Sequence, residues 1–212
     1  KYANPATLPS STSDGLRFSP SGADLAISHT SGANISVYPW STGFGVKYAN
    51  PATVPTGTGT DAAFLPSGAD LAIAHATSPF VSVYPWSAGF GAKYANPATL
   101  PGGNGLSVVF SPSGADIAIG HTLTPFASVY PWAAGFGAKY ANPATLVGAD
   151  GEDVVFTSSG SDIAFASGVT PFIFAYPWAA GFGAKYANPA TLPTGSERGI
   201  DITGSSTGQF YY

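Results

Sequence analysis

The segment Lys-Tyr-Ala-Asn-Pro-Ala-Thr opens at Lys1, Lys47, Lys93, Lys139 and Lys185, a spacing of 46 residues each time. A fixed period of this length marks one supersecondary unit copied along the chain, each copy burying its apolar surface against the next. Four full units begin at residues 1, 47, 93 and 139, and a partial unit runs from 185 to 212. The whole of 1–212 is therefore expected to form one domain. A start at Lys1 without methionine marks a processed product or a piece of a longer protein.

The third unit shows what is being copied. Leu106–Phe110 is an apolar, β-branched run closed by the turn composition Ser111-Pro112-Ser113-Gly114. Asp116–His121 reads as a second strand, apolar on both faces. After Thr122-Leu123-Thr124-Pro125, the aromatic stretch Phe126–Trp132 reads as a third strand that ends at a proline. Beyond a Gly-Phe-Gly turn, Lys139–Leu146 is expected to be a short outer strand, because Pro143 cannot donate to a ladder and is tolerated at an edge. No stretch has helical periodicity of useful length. Four short antiparallel strands per unit, buried on both faces, suit a blade held between neighbouring blades around an axis. The expectation is an all-β chain forming a β-propeller of five blades. Both termini would close the last blade, Lys1–Thr7 as its outer strand and Gly199–Tyr212 as its first two strands, which leaves it one strand short: either the closing blade has three strands, or its third strand has been cut off, or a neighbouring chain supplies it.

Phe18-Ser19-Pro20-Ser21-Gly22 with Asp24-Leu25-Ala26-Ile27, and Phe110-Ser111-Pro112-Ser113-Gly114 with Asp116-Ile117-Ala118-Ile119, resemble the first hairpin of WD40-like repeats. The likeness covers all four full units. Trp40, Trp86, Trp132 and Trp178, each ending a Tyr-Pro-Trp run, fall where that family ends its third strand in Trp-Asp. The Asp and the family's Gly-His pair are missing here, so its buried Asp–His network does not carry over. The full unit also resembles repeats of propellers in tailed-phage structural proteins. These resemblances imply a propeller that binds or displays, with a virion as one setting.

Charge narrows the partners. Only 8 % of residues are charged and the net charge is −4, which supplies no cationic surface for nucleic acid. The most apolar window, Phe172–Ala184, is too short to cross a bilayer and is broken by Pro177 and Gly181, so no membrane insertion is expected. Absence of cysteine excludes disulfides and thiolate chemistry.

Variation between copies is uneven. The turn between first and second strands and the Gly-Phe-Gly turn hardly change, and in an alternating sheet they share one rim. The loops before the first strand and between second and third strands share the other rim, and both diversify. Recognition is expected on that variable rim, with His29, His75, His121, Asp14, Thr58, Asn104, Asp150, Glu152 and Asp153 as candidates. The three histidines are in register, but copies stand too far apart around an axis to converge on one metal. They read as rim residues that hydrogen-bond locally or touch a ligand. Asp150-Gly151-Glu152-Asp153 is an acidic cluster too short for a dedicated calcium loop. Asp24, Asp70, Asp116 and Asp162 recur, as do the lysines, and are expected to pair within or between blades. Tyr38, Trp40, Phe44 and their copies are expected to pack between blades rather than to stack on sugars. Asn34-Ile35-Ser36 fits a glycosylation sequon. No asymmetric Ser, His, Asp constellation is evident, so the chain reads as a non-enzyme without cofactor or metal. Its partner is expected to be a protein of a larger assembly, extracellular or on a virion surface, or alternatively a surface glycan bound by a soluble lectin.

Overall fold

The computed structural model of the chain describes residues 2–193, 195 and 199. Twelve strands form four antiparallel sheets of three, one per repeat, and no helix occurs among the described residues. The first sheet contains β1 (Ser13–Phe18), β2 (Asp24–His29) and β3 (Ile35–Pro39), and the second β4 (Gly59–Phe64), β5 (Asp70–His75) and β6 (Val81–Pro85). The third contains β7 (Gly105–Phe110), β8 (Asp116–His121) and β9 (Ala127–Pro131), and the fourth β10 (Gly151–Phe156), β11 (Asp162–Ser167) and β12 (Ile173–Pro177). Within each sheet the strands follow chain order, with the second in the middle.

Local chemistry explains the hairpins. In the first turn Gly22 takes φ +71, a conformation that favours glycine, and its N–H donates to the Ser19 carbonyl at 2.8 Å. The Ser19 hydroxyl accepts the Asp24 N–H at 3.0 Å and so starts the return strand. The middle strand is buried at every position in the first three sheets, as its apolar alternation on both faces requires.

The expected outer strand does not form. After each third strand the Lys-Tyr-Ala-Asn-Pro-Ala-Thr segment makes a single main-chain bond to the sheet edge, such as Tyr94 N–H to the Val83 carbonyl at 2.9 Å, and then leaves it. Its proline has no donor to continue a ladder. The segment is instead a linker that touches two sheets. The Tyr48 N–H bonds Val37 of the first sheet at 3.0 Å, and the Thr53 carbonyl accepts the Tyr84 hydroxyl of the second at 2.6 Å. Residues 2–9 likewise form no strand, and the expected contribution of Ile200–Tyr212 lies outside the described residues.

The sheets pack face to face. Ala26, Ile35 and Val37 of the first sheet share a cluster with Ala62, Leu71, Ile73, Tyr84 and Trp86 of the second, and the next junction repeats the pattern. The aromatics are core: Tyr38, Tyr84, Tyr130 and Tyr176 are fully buried, and Trp86 meets Phe90 edge to face at 5.0 Å. First strands of successive sheets, β1 to β4 to β7 to β10, lie side by side. Together they line one cavity of ≈ 230 Å³. The outer face of the first sheet is open: Leu16 is 56 % exposed, whereas its counterparts Ala62, Val108 and Val154 are buried.

Candidate functional site

The variable loops are fastened to each other by their backbones. The Thr12, Thr58 and Asn104 carbonyls accept the N–H groups of Thr30, Ala76 and Thr122 at 3.1, 2.9 and 3.1 Å. Side chains add to this, with the Ser10 hydroxyl donating to the Ser31 carbonyl at 2.6 Å and the Thr56 hydroxyl to the Ser78 carbonyl at 2.7 Å. A Cβ on Gly59, Gly105 or Gly151 would overlap the carbonyl oxygen of Asn34, Phe80 or Phe126, so the first strands of the second, third and fourth units also butt against the preceding unit's loop. Thr58 is half-exposed and Asn104 exposed on this fastened rim, and Asp150 is half-buried in the turn before β10.

His29, His75 and His121 lie beneath the rim rather than on it, each almost wholly buried. Each Nε2 is 3.0 Å from a serine hydroxyl on the neighbouring strand, Ser36, Ser82 or Ser128. Nδ1 of His29 and of His75 is 2.8 Å from a loop carbonyl, Ser31 or Thr77. With Nδ1–H donated there, Nε2 accepts the serine proton, which fixes the neutral tautomer. Burial pushes His75 and His121 down to about 4, against the raising effect of backbone partners, and lowers His29 as well. The fourth unit replaces both members of the pair, with Ser167 and Phe174. All three histidines thus bond the neighbouring strand, and His29 and His75 also support the loops above them.

Three of the acidic candidates meet at the central cavity. Asp14, Glu152 and Asp153 line it with Arg17, Thr60, Asp61 and Ser107, drawing on all four sheets. Asp61 is the most buried of the charged groups here: its carboxylate lies 3.6 Å from Arg17, and accepts the Ser107 hydroxyl at 3.2 Å and the Val108 N–H at 3.1 Å. Ser107 also donates to Asp153 at 2.7 Å, so one hydroxyl hydrogen serves two carboxylates. Burial raises the Asp61 carboxyl and Asp153 adds to this, while Arg17 and the backbone N–H groups oppose it. Sequence reasoning missed Arg17, Asp61 and Ser107. The available signal was the column 46 residues apart, Gly15, Asp61, Ser107, Asp153 and Gly199, polar or glycine within otherwise apolar first strands. A Cβ placed on Gly199 would stand 4.0 Å from the Asp153 carboxylate.

The recurring aspartates do not pair with the lysines. Asp24 accepts the Tyr48 hydroxyl at 2.8 Å and the Trp86 indole N–H of the next sheet at 3.1 Å. Asp70 and Asp116 repeat this with Tyr94 and Trp132, and with Tyr140 and Trp178, at 2.9 to 3.0 Å. Two neutral donors per carboxylate stabilise the charge without a cation. Burial, with the adjacent carboxylate, pushes Tyr48 and Tyr140 up to about 12. Lys47, Lys93, Lys139 and Lys185 bond instead to the asparagine three residues on, as Lys185 does to Asn188 at 2.6 Å. Asn34 of the sequon is buried, its amide donating to the Pro55 carbonyl at 2.9 Å, so the folded chain does not offer it for modification.

One further cavity, of ≈ 250 Å³, opens on the rim of the first unit, between Leu8, Ser10, His29, Gly32, Ala33, Lys47 and Asn50. The other units carry the larger pairs Ser78-Pro79, Thr124-Pro125 and Thr170-Pro171 at the positions of Gly32-Ala33.

No family model and no curated protein matches the chain. A solved structure titled Kuenenia stuttgartiensis Hydrazine Synthase resembles it at a TM-score of 0.61 with 15% sequence identity, covering 82% of this chain and 49% of that one. At that identity the likeness is one of fold, a repeat β architecture, and the chain spans about half of the length of the structure it matches.

Proposed function

We propose that the chain is a non-enzymatic β-propeller that binds or displays on the outside of a larger assembly, through its rim of variable loops. The observation that carries this reading is the fastening of those loops in the first three units by main-chain bonds above buried supports, which holds a different surface in place on each of them. The linkers support a reading of five blades. The segments at 47–53, 93–99 and 139–145 each bond two sheets, whereas those at 2–7 and 185–191 each bond one, as they would if a closing blade lay between them. Gly199 beside Asp153 supports this, because it occupies the same repeat position next to the same cavity. A low-charge surface free of sulfur, whose contacts depend little on salt, suits an extracellular setting, and the repeat's resemblance to phage propellers suggests a virion surface. Giving all four loops before the first strands the sequence Thr56-Gly57-Thr58-Gly59-Thr60 should abolish binding to the assembly. Full binding by that variant would assign recognition to the opposite rim. A glycan is the second reading, favoured by the rim cavity of the first unit, where Lys47, Asn50 and Ser10 offer donors beside Leu8 and Ala33. A glycan array on the intact protein separates the two.

A further inference from the structure

The rim cavity of the first unit has fixed walls. Its loop is tied on both sides: the His29 N–H bonds the Asn34 carbonyl at 3.1 Å, and the Ser10 hydroxyl bonds the Ser31 carbonyl at 2.6 Å. Asn34 also fastens it to the next linker through the Pro55 carbonyl at 2.9 Å. Gly32 takes φ +75, and a Cβ there would stand 2.6 Å from the Ser10 oxygen, so a larger residue would displace this wall. At ≈ 250 Å³ the cavity is smaller than the about 300 to 1,000 Å³ of sites for drug-sized molecules, and suits a single ring.

The chemistry of the lining is one-sided. Among the described residues that frame the cavity Lys47 is the only charged one, and no described carboxylate forms an ion pair with it. Its ammonium donates to the Tyr48 carbonyl at 3.3 Å and to the Asn50 side-chain oxygen, which leaves a third N–H. With its oxygen so engaged, Asn50 keeps its NH2 group as a donor. Burial lowers Lys47, as for a cation short of solvent, and His29 stays neutral and adds no second charge. Leu8, 61 % exposed, and Ala33 supply an apolar wall.

We infer that this cavity binds a hexuronic acid, one pyranose ring bearing a carboxylate, with the carboxylate on Lys47 and the Asn50 amide, ring hydroxyls on Ser10 and Thr7, and the ring's C–H face against Leu8 and Ala33. A charge-assisted bond to the ammonium is what a neutral hexose lacks. The inference rests on the glycan reading and narrows it to an acidic sugar, whether free or at the end of a surface glycan.

Sodium glucuronate and glucose, titrated separately into the intact chain and followed by amide chemical shifts, test it. Glucuronate should saturate with a Kd on the order of 1 mM, and glucose should bind about tenfold more weakly or worse. Lys47→Gln should weaken glucuronate about tenfold or more. Lys93→Gln should leave it unchanged, because Lys93 makes the same bonds to Tyr94 and Asn96 in a unit that carries Ser78-Pro79 in place of Gly32-Ala33. The two variants lose equivalent structural bonds, so a difference between them reports the cavity and not the fold. No saturable glucuronate binding, equal affinity for glucose, or equal loss in both variants would overturn the inference. On an array, capture of neutral glycans without glucuronate-terminated ones would keep the glycan reading and overturn this one. A blank array beside Lys47-dependent binding of free glucuronate would keep the site and discard the glycan reading.

Discussion

A buried histidine that stays neutral makes the fold sensitive to acid in a defined window. His75 and His121 are held near 4 by burial, against 6.5 in an open chain. Above about pH 6.5 neither folded nor unfolded chain protonates them. Between there and about pH 4 the unfolded chain binds protons that the folded chain refuses, so stability falls as pH drops, by on the order of 3 kcal/mol for each histidine, and levels off below. Denaturant melts from pH 8 to 4 should show that decline. The fourth unit supplies the control: His121→Ser with Ser128→Phe copies Ser167 and Phe174, and should flatten the pH dependence by about one histidine's share. An unchanged pH profile in the double variant would contradict the assignment. The sequence displayed the histidine column but not its depth. A His at a strand end reads equally as rim or as core, and the sign of burial was the serine seven residues on, present wherever the histidine is and replaced where it is not.

At the scale of elements, three strands per unit were legible from turn residues and apolar alternation, and β8 has the bounds that the pattern gives. The fourth was not. A run such as Lys-Tyr-Ala-Asn-Pro-Ala-Thr satisfies the rule for an edge strand, but whether such a segment stays on its own sheet depends on which acceptors the neighbouring sheet offers. Here the Tyr84 hydroxyl of the next sheet bonds the Thr53 carbonyl and the Tyr48 ring meets Trp86 edge to face at 5.2 Å, while Trp86 also bonds Asp24, so the segment crosses the junction. That clamp predicts a gradient. Trp132, packed between sheets and bonded to Asp70 at 3.0 Å, should cost about 3 to 5 kcal/mol on change to alanine. Trp40, half-buried with an open face beside it, should cost less than half as much. Asp70→Ala, which strands the buried Trp132 indole N–H and the half-buried Tyr94 hydroxyl, should cost about 2 to 3 kcal/mol. Equal losses at Trp40 and Trp132 in chemical denaturation would mean that the inter-sheet clamp contributes little.

At the scale of the whole molecule, the repeat and its period carried most of the architecture, because copies 46 residues apart must pack alike. The central cavity was less legible: it depends on which face of the first strand turns toward the axis, and the column of Asp61, Ser107 and Asp153 becomes meaningful only once four sheets surround it. In the proposed ring, residues 185–212 place a fifth unit between the fourth sheet and the first. The repeat provides its own ruler, since Ser21, Ser67, Ser113, Ser159 and Ser205 occupy one position in successive units, and a chain without cysteine accepts spin labels at chosen sites only. The decisive measurement is the electron-spin distance between labels at Ser21 and Ser205, compared with that between Ser21 and Ser67 in a second labelled pair. A closed ring predicts that the two distances coincide, each with a narrow distribution. A longer or broad Ser21–Ser205 distance beside a sharp Ser21–Ser67 one would contradict it.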